Sequence, residues 1–211
     1  MAEPKPEPRL KLSAVQPVAE PAVDHRAAGL FALSTGDGGA AEPHFRTVVE
    51  QDPTDTDAWL NLGAALRQQG RAVDAEAALS AALATAARPA LLAQSLARDL
   101  IDRGADAEAL NLLNAYRPAQ PIDPVHEAYI AAVLQRVGQH AEAAERYRSV
   151  LALRPQAADW WVGLAISDEA GGHRDAAGRA TRHARNIGNL DNALARYAEQ
   201  RLAAIEATPT S

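Results

Sequence analysis

The sequence predicts an all-α solenoid of about five helical hairpins stacked side by side and closed by a C-terminal capping helix. Three observations carry this. Glycine recurs at a fixed 34-residue interval, at positions 36, 70, 104, 138 and 172, and alanine stands five residues after each, at 41, 75, 109, 143 and 177. Apolar residues flank every glycine at helical spacing, giving one stripe before it and a facing stripe after it. The composition, 47% hydrophobic with only 4% aromatic residues, belongs to Ala- and Leu-rich helices packed at short range rather than to a β-sandwich. Such a hairpin cannot cover its own apolar faces, so its neighbours must.

The elements follow in chain order. Residues 1–21 hold Pro4, Pro6, Pro8, Pro17 and Pro21 among charged side chains and read as an extended, flexible linker. Residues 22–189 form the solenoid, with repeats starting near 22, 56, 90, 124 and 158. Eight residues before each glycine stand Ala28, Leu62, Leu96, Ile130 and Leu164, followed by the small residues Gly29, Gly63, Ala97, Ala131 and Ala165. Four before it come Ala32, Leu66, Leu100 and Leu134, but Asp168 in the fifth repeat. Nine after it come Phe45, Leu79, Leu113 and Tyr147, but Thr181 in the fifth. The glycine ends the first helix of each pair by adopting the left-handed conformation, and Pro53, Pro121 and Pro155 end second helices. Asp37-Gly38-Gly39 reads as a loose inter-helix turn, with Pro43 in the first turn of the helix beyond it. Residues 190–207, with Leu190, Leu194, Tyr197, Ala198, Leu202 and Ile205 on one face, predict the capping helix, and 208–211 a disordered tail.

The 34-residue pattern resembles the tetratricopeptide repeat, whose Trp-x2-Leu-Gly-x2-Tyr, Ala-x3-Phe and Pro positions are met by Trp59, Leu62, Gly63 and Leu66 with Ala75 and Leu79, and again by Ala143, Tyr147 and Pro155. The resemblance implies a right-handed superhelix that binds protein or peptide partners through a concave groove lined by the first helix of each hairpin. Carried onto this sequence, the inward positions include Leu60 and Arg67, then Gln94, Arg98 and Ile101. Gln135 and Arg136 follow from the fourth repeat, and Val162 and Ile166 from the fifth. The groove is then an apolar strip with three arginines, suited to an amphipathic or partly acidic peptide. The plainer alternative is that the arginines pair with Asp57, Asp102 and Glu127. Lysine occurs only at 5 and 11, and Leu60 and Ala64 stand where a chaperone-carboxylate clamp needs polar side chains.

A second resemblance lies at the C-terminus. Asp159 to Ser167 with its Trp160-Trp161 pair, Gly171-Gly172-His173 and Leu194 to Leu202 are similar to the end of the MshN-type biogenesis proteins of mannose-sensitive haemagglutinin (MSHA) type IV pili. That likeness implies a scaffold in pilus or secretion-system assembly whose partner is another component of the machinery. It places the repeats at the periplasmic face of the inner membrane if an anchor precedes them, and otherwise in the cytoplasm. Two alternatives stay open: a substrate-recruiting segment of a larger enzyme, and a cytoplasmic co-chaperone-like adaptor.

The remaining chemistry is sparse. A net charge of −6 and a pI near 5.5 argue against affinity for nucleic acid or anionic membrane. Without cysteine there is no disulfide, thiolate metal site or thiol nucleophile. The longest Ala/Leu-rich stretch, Ala77 to Ala97, is broken by Arg88 and Pro89 and does not read as a membrane span. The six histidines show no metal-ligand spacing and read as solvated residues. No catalytic constellation can be assigned, so the expectation is a non-enzyme without cofactor or metal. Arg174 to Asn189 is locally basic; with Trp160, Arg182 and Arg185 it offers a secondary contact, or it simply offsets the acidic stretch from Asp37 to Asp57. Of the tryptophans, Trp161 is the expected core residue and Trp160 the exposed one.

Overall fold

The computed structural model describes residues 23–118 and 121–206, with the side chains of 205 and 206 left aside. The expected linker at 1–21 and tail at 208–211 lie outside the described residues. The chain forms five hairpins: α1 (His25–Ser34) with α2 (Gly38–Gln51), α3 (Thr56–Gln68) with α4 (Ala72–Ala82), α5 (Pro89–Asp102) with α6 (Asp106–Ala115), α7 (Pro124–Arg136) with α8 (His140–Leu153), and α9 (Ala158–Ala170) with α10 (Arg174–Ile187). A final helix, α11 (Asn192–Glu206), packs on α10 and α9.

The recurrent glycines do what their spacing predicts. Gly36, Gly70, Gly104, Gly138 and Gly172 have φ between +75° and +81°. Each allows the amide of the residue after it to reach back five residues, as in Arg71 N to Leu66 O (2.9 Å), Gln139 N to Leu134 O (2.8 Å) and His173 N to Asp168 O (2.7 Å). These bonds satisfy carbonyls that a helix end otherwise leaves unpaired. At the N-termini Asp24, Asp37, Asp55 and Asp123 accept from backbone amides of the first turn, and Asp191 does the same for α11.

Three local expectations are corrected. Asp37-Gly38-Gly39 is not a loose turn: Asp37 caps α2 by accepting from Ala40 N and Gly38 begins the helix, packed so closely on α3 that a Cβ there would collide with the Ala65 carbonyl and stand 2.9 Å from Gln68 Cβ. Pro43 therefore sits in the second turn of α2 rather than the first. Pro121 also does not end its second helix, for α6 stops at Ala115. Pro118 disfavours helix at Arg117, which explains the early end of α6.

The core runs along the stack as linked clusters, each combining residues of neighbouring hairpins; Phe45, Leu66, Leu79, Leu92, Leu113, Ile130 and Leu134 are sealed from solvent. Each first helix packs on its own second helix, on the second helix before it and on the adjacent first helices, whereas among the described residues the backbones of successive second helices stay apart. The stack therefore has a closed inner wall of first helices and open seams on its outer side. This is a superhelical all-α solenoid.

Candidate functional site: the first-helix face and the outer seams

The residues expected in the groove share one stripe per helix, and the structure sorts them. On α5, Leu91, Gln94, Arg98 and Ile101 follow at helical spacing; Arg98 is exposed and makes no ion pair or hydrogen bond among the described residues, while Ile101 and Leu91 are half-buried beside it. Leu60 on α3 is half-buried, and Val125 on α7 keeps 43% of its surface exposed. These residues form an apolar strip around one free guanidinium.

The other expected contacts are already engaged. Arg67 forks onto Asp99 of the next hairpin, Nε to Oδ1 at 3.2 Å and Nη2 to Oδ2 at 2.6 Å, and also donates to Ser95 Oγ at 3.0 Å. Arg136 donates to Asp106 at 2.7 Å, which holds its guanidinium above its ordinary pKa. Both thus tie hairpins together, with partners other than the Asp57, Asp102 and Glu127 expected; Asp57 pairs with Arg88, and Glu127 with Arg117 and Arg146. Gln135 donates to Gly163 O and Ser167 Oγ, both at 2.7 Å, and accepts from the Tyr147 hydroxyl at 3.3 Å. Gln94 reaches His126 Nδ1 at 3.0 Å. Val162 is 1% exposed and cannot line a groove. Burial follows from the cap: α11 lies against α9, and its Arg201 pairs with Glu169 on the stripe of Val162 and half-buried Ile166. The apolar strip is shorter than the register implied, extending over α3, α5 and α7.

The expectation that all six histidines are solvated is corrected by His126. His126 is fully buried; its Nε2 faces the Leu113 carbonyl at 2.9 Å and must donate, so in the neutral ring Nδ1 accepts from Gln94. This buried group links three helices, α5, α6 and α7. His25 and His44 pair Nδ1 to Nδ1 at 3.0 Å. Among the described residues no group of three or more His, Asp or Glu could hold a metal ion, and no described helix is long and apolar enough to cross a membrane. Both tryptophans of the pair are half-buried. Trp161 donates from Nε1 to Pro155 O at 2.8 Å, as Trp59 does to Pro53 O at 2.9 Å, and Trp160 lies under Arg154.

The outer seams hold features that sequence reasoning did not combine. Three clefts lie on the outer side in the repeat register, of about 380 Å³ between α2 and α4, about 320 Å³ between α8 and Arg117 and Ile122 in the segment after α6, and about 630 Å³ between α8 and α10. In the last, Asp168 forms the floor with its side chain only 3% exposed, paired to Arg148. The signal was available: Asp168 interrupts the leucines of its column.

Stacked helical hairpins whose inner face carries an apolar strip beside the exposed Arg98 define a helical-repeat interaction scaffold. Two family models, both described as tetratricopeptide repeat, match residues 32–98 and 130–180, together more than half of the chain, and the protein belongs to the tetratricopeptide repeat family. Among solved structures, MamA AMB-1 is 24% identical over 78% of this chain and 98% of its own, with a TM-score of 0.61. Another MamA crystal structure is 18% identical over 89% and 96%, with a TM-score of 0.62. YrrB, described as a TPR protein with an unusual peptide-binding site, is 19% identical over 82% and 88%, with a TM-score of 0.62. At these identities the likeness is one of fold. No curated protein matches the sequence.

Proposed function

We propose that this chain is a non-catalytic scaffold that holds an extended, amphipathic peptide segment of a partner protein along the first-helix face of α3, α5 and α7. The observation that carries it is Arg98: an exposed guanidinium without a partner, flanked by Leu91 and Ile101, in a stack whose other two groove arginines are spent on neighbouring hairpins. A carboxylate on the peptide reaches Arg98 while its apolar side chains rest on Leu60, Ile101 and Val125. The peptide-binding site ascribed to YrrB, a relative in fold, agrees with this reading.

The setting we propose is envelope assembly machinery of the type IV pilus (MSHA-like) or secretion kind, with the repeats on the periplasmic side of the inner membrane and another component of that machinery as partner. It rests on the C-terminal likeness to MshN-type proteins around Trp160-Trp161, Gly171-Gly172-His173 and Leu194 to Leu202. Two experiments test the proposal. Partners captured from a bacterial envelope extract are lost with Arg98→Glu and kept with Arg196→Glu; equal capture by both variants refutes the groove. Alkaline phosphatase fused to the C-terminus of the native gene product is active if the repeats are periplasmic and inactive if they are not.

A further inference from the structure

The seam between α8 and α10 departs from its equivalents in several ways at once. Stepping back three repeats, the cleft residues Arg148, Trp161, Asp168, Arg179 and His183 correspond to Arg46, Trp59, Leu66, Ala77 and Ala81 of the seam between α2 and α4. The arginine and tryptophan are common to both, and both tryptophans make the same bond to a proline carbonyl. The other three positions have changed from apolar to ionisable or charged. The cleft has also widened, from about 380 to about 630 Å³. A leucine at 168 would complete the core as it does at 66, 100 and 134; a buried carboxylate there has to be neutralised by Arg148 and adds little or nothing to stability.

The positive charge that α10 brings to this cleft is uncompensated among the described residues. The arginines of the preceding helices are paired with acids, except Arg98 and Arg154. On α10, Arg179, Arg182 and Arg185 have no acidic partner among the described residues, although the chain as a whole carries a net charge of −6. They succeed one another at intervals of three, one side of the helix leading out of the cleft. Arg179 lines the cleft opposite Arg148, and the His183 ring lies 4.3 Å from that of Trp161, closing one end with aromatic surface.

We propose that the cleft between α8 and α10 is a docking site for an acidic linear peptide, separate from the first-helix groove. One Asp or Glu side chain enters against Arg179 and the exposed side of Arg148, an adjacent apolar or aromatic residue rests on Trp161, and further acids follow Arg182 and Arg185. The concavity selects an inserted side chain over a flat anionic surface, and its volume accommodates one or two residues. Asp168 holds the Arg148 guanidinium against the wall, so that the anion meets a fixed donor rather than a mobile one.

The test is fluorescence anisotropy of a fluorescein-labelled Glu-Glu-Phe-Glu-Glu peptide against the full chain, with Gln-Gln-Phe-Gln-Gln as its neutral counterpart. The expected result is at least tenfold weaker binding of the neutral peptide and of the acidic peptide to Arg179→Glu, with the charge-matched Arg154→Glu binding as the unaltered chain does. Equal binding of both peptides, or full binding by Arg179→Glu, overturns the proposal. A loss with Arg154→Glu as large as with Arg179→Glu reduces the effect to diffuse charge and overturns it too, as does cosedimentation with phosphatidylglycerol vesicles that the acidic peptide does not displace. A loss of the acidic peptide with Arg98→Glu but not with Arg179→Glu assigns that peptide to the first-helix groove and overturns this site alone, so failure here and failure of the groove reading are distinguishable.

Discussion

Arg148→Ala should cost about 3 kcal/mol in the native background and almost nothing once residue 168 is leucine. Asp168 keeps only 3% of its side-chain surface exposed, whereas Arg148 keeps 50%, so the two ends of the pair are not equivalent. Removing the arginine strands a buried carboxylate, a loss of about 3–5 kcal/mol in buried pairs generally; the low end applies because the cleft opens to solvent beside it. For a chain of this length that corresponds to about 6–12 °C in Tm. Asp168→Leu restores the residue type found at 66, 100 and 134, leaves Arg148 free to turn into water, and should stabilise by about 1–3 kcal/mol. In that background Arg148→Ala becomes a surface change of less than about 0.5 kcal/mol. The assay is urea unfolding followed by tryptophan fluorescence in a Trp59→Phe chain, so that Trp160 and Trp161 report the C-terminal hairpin alone; solenoid ends can unfold separately and a global probe would blur the effect. If Arg148→Ala costs the same in both backgrounds, or Asp168→Leu destabilises, the reading of a neutralised buried charge is wrong.

Small residues at the helix crossings give graded outcomes in thermal melts: Gly163→Ala should lose about 2–3 kcal/mol, since a Cβ there would lie 2.6 Å from the Tyr147 hydroxyl oxygen and 2.7 Å from its Cε1, while Gly63→Ala should stay within about 1 kcal/mol, meeting only Leu79 Cδ1 at 3.1 Å and Arg67 Nη1 at 3.3 Å and gaining helix propensity. Glu42 is held down to about 2 by hydrogen bonds from Gln69, Arg46 and Arg71. Its folded-state value lies below the ordinary one, so its contribution is complete above about pH 4.5 and is lost as pH falls towards 2; unfolding titrations over that window should be steeper for the native chain than for Glu42→Gln. For the first-helix face, anisotropy with a captured partner segment should show about tenfold weaker binding to Arg98→Glu, the loss of one charge-assisted contact.

The repeat period made the fold readable because the same steric requirement recurs in every hairpin: a left-handed glycine, a small crossing residue and two facing stripes. Asp168 and Thr181 stood out as exceptions, and both are buried, Thr181 by donating to Ala177 O at 2.8 Å and Asp168 by pairing with Arg148. What the register could not supply was the identity of partners across hairpins. Arg67, Arg98 and Arg136 look alike in sequence, but only a three-dimensional arrangement shows that Asp99 and Asp106 take two of them. The burial of Val162 and the bonding of His126 depend on helices α11, α5 and α6, each packed against them from elsewhere in the chain. The early ends of α4 and α6 were hidden for a different reason, since the helix-ending proline is replaced by Ala87 in one repeat and lies beyond a second proline, Pro118, in the other.

The separation between the backbones of successive second helices has a mechanical consequence. Adjacent hairpins are tied along one edge, through pairs such as Arg67–Asp99 and the Gln135 bonds to α9, and along the other at isolated points such as the Glu42–Arg71 pair between α2 and the start of α4. A molecule built this way is stiff against stretching of its inner wall and compliant to changes in curvature, so tension between two bound proteins is taken up by bending, with the outer crevices gaping or narrowing as the stack does so.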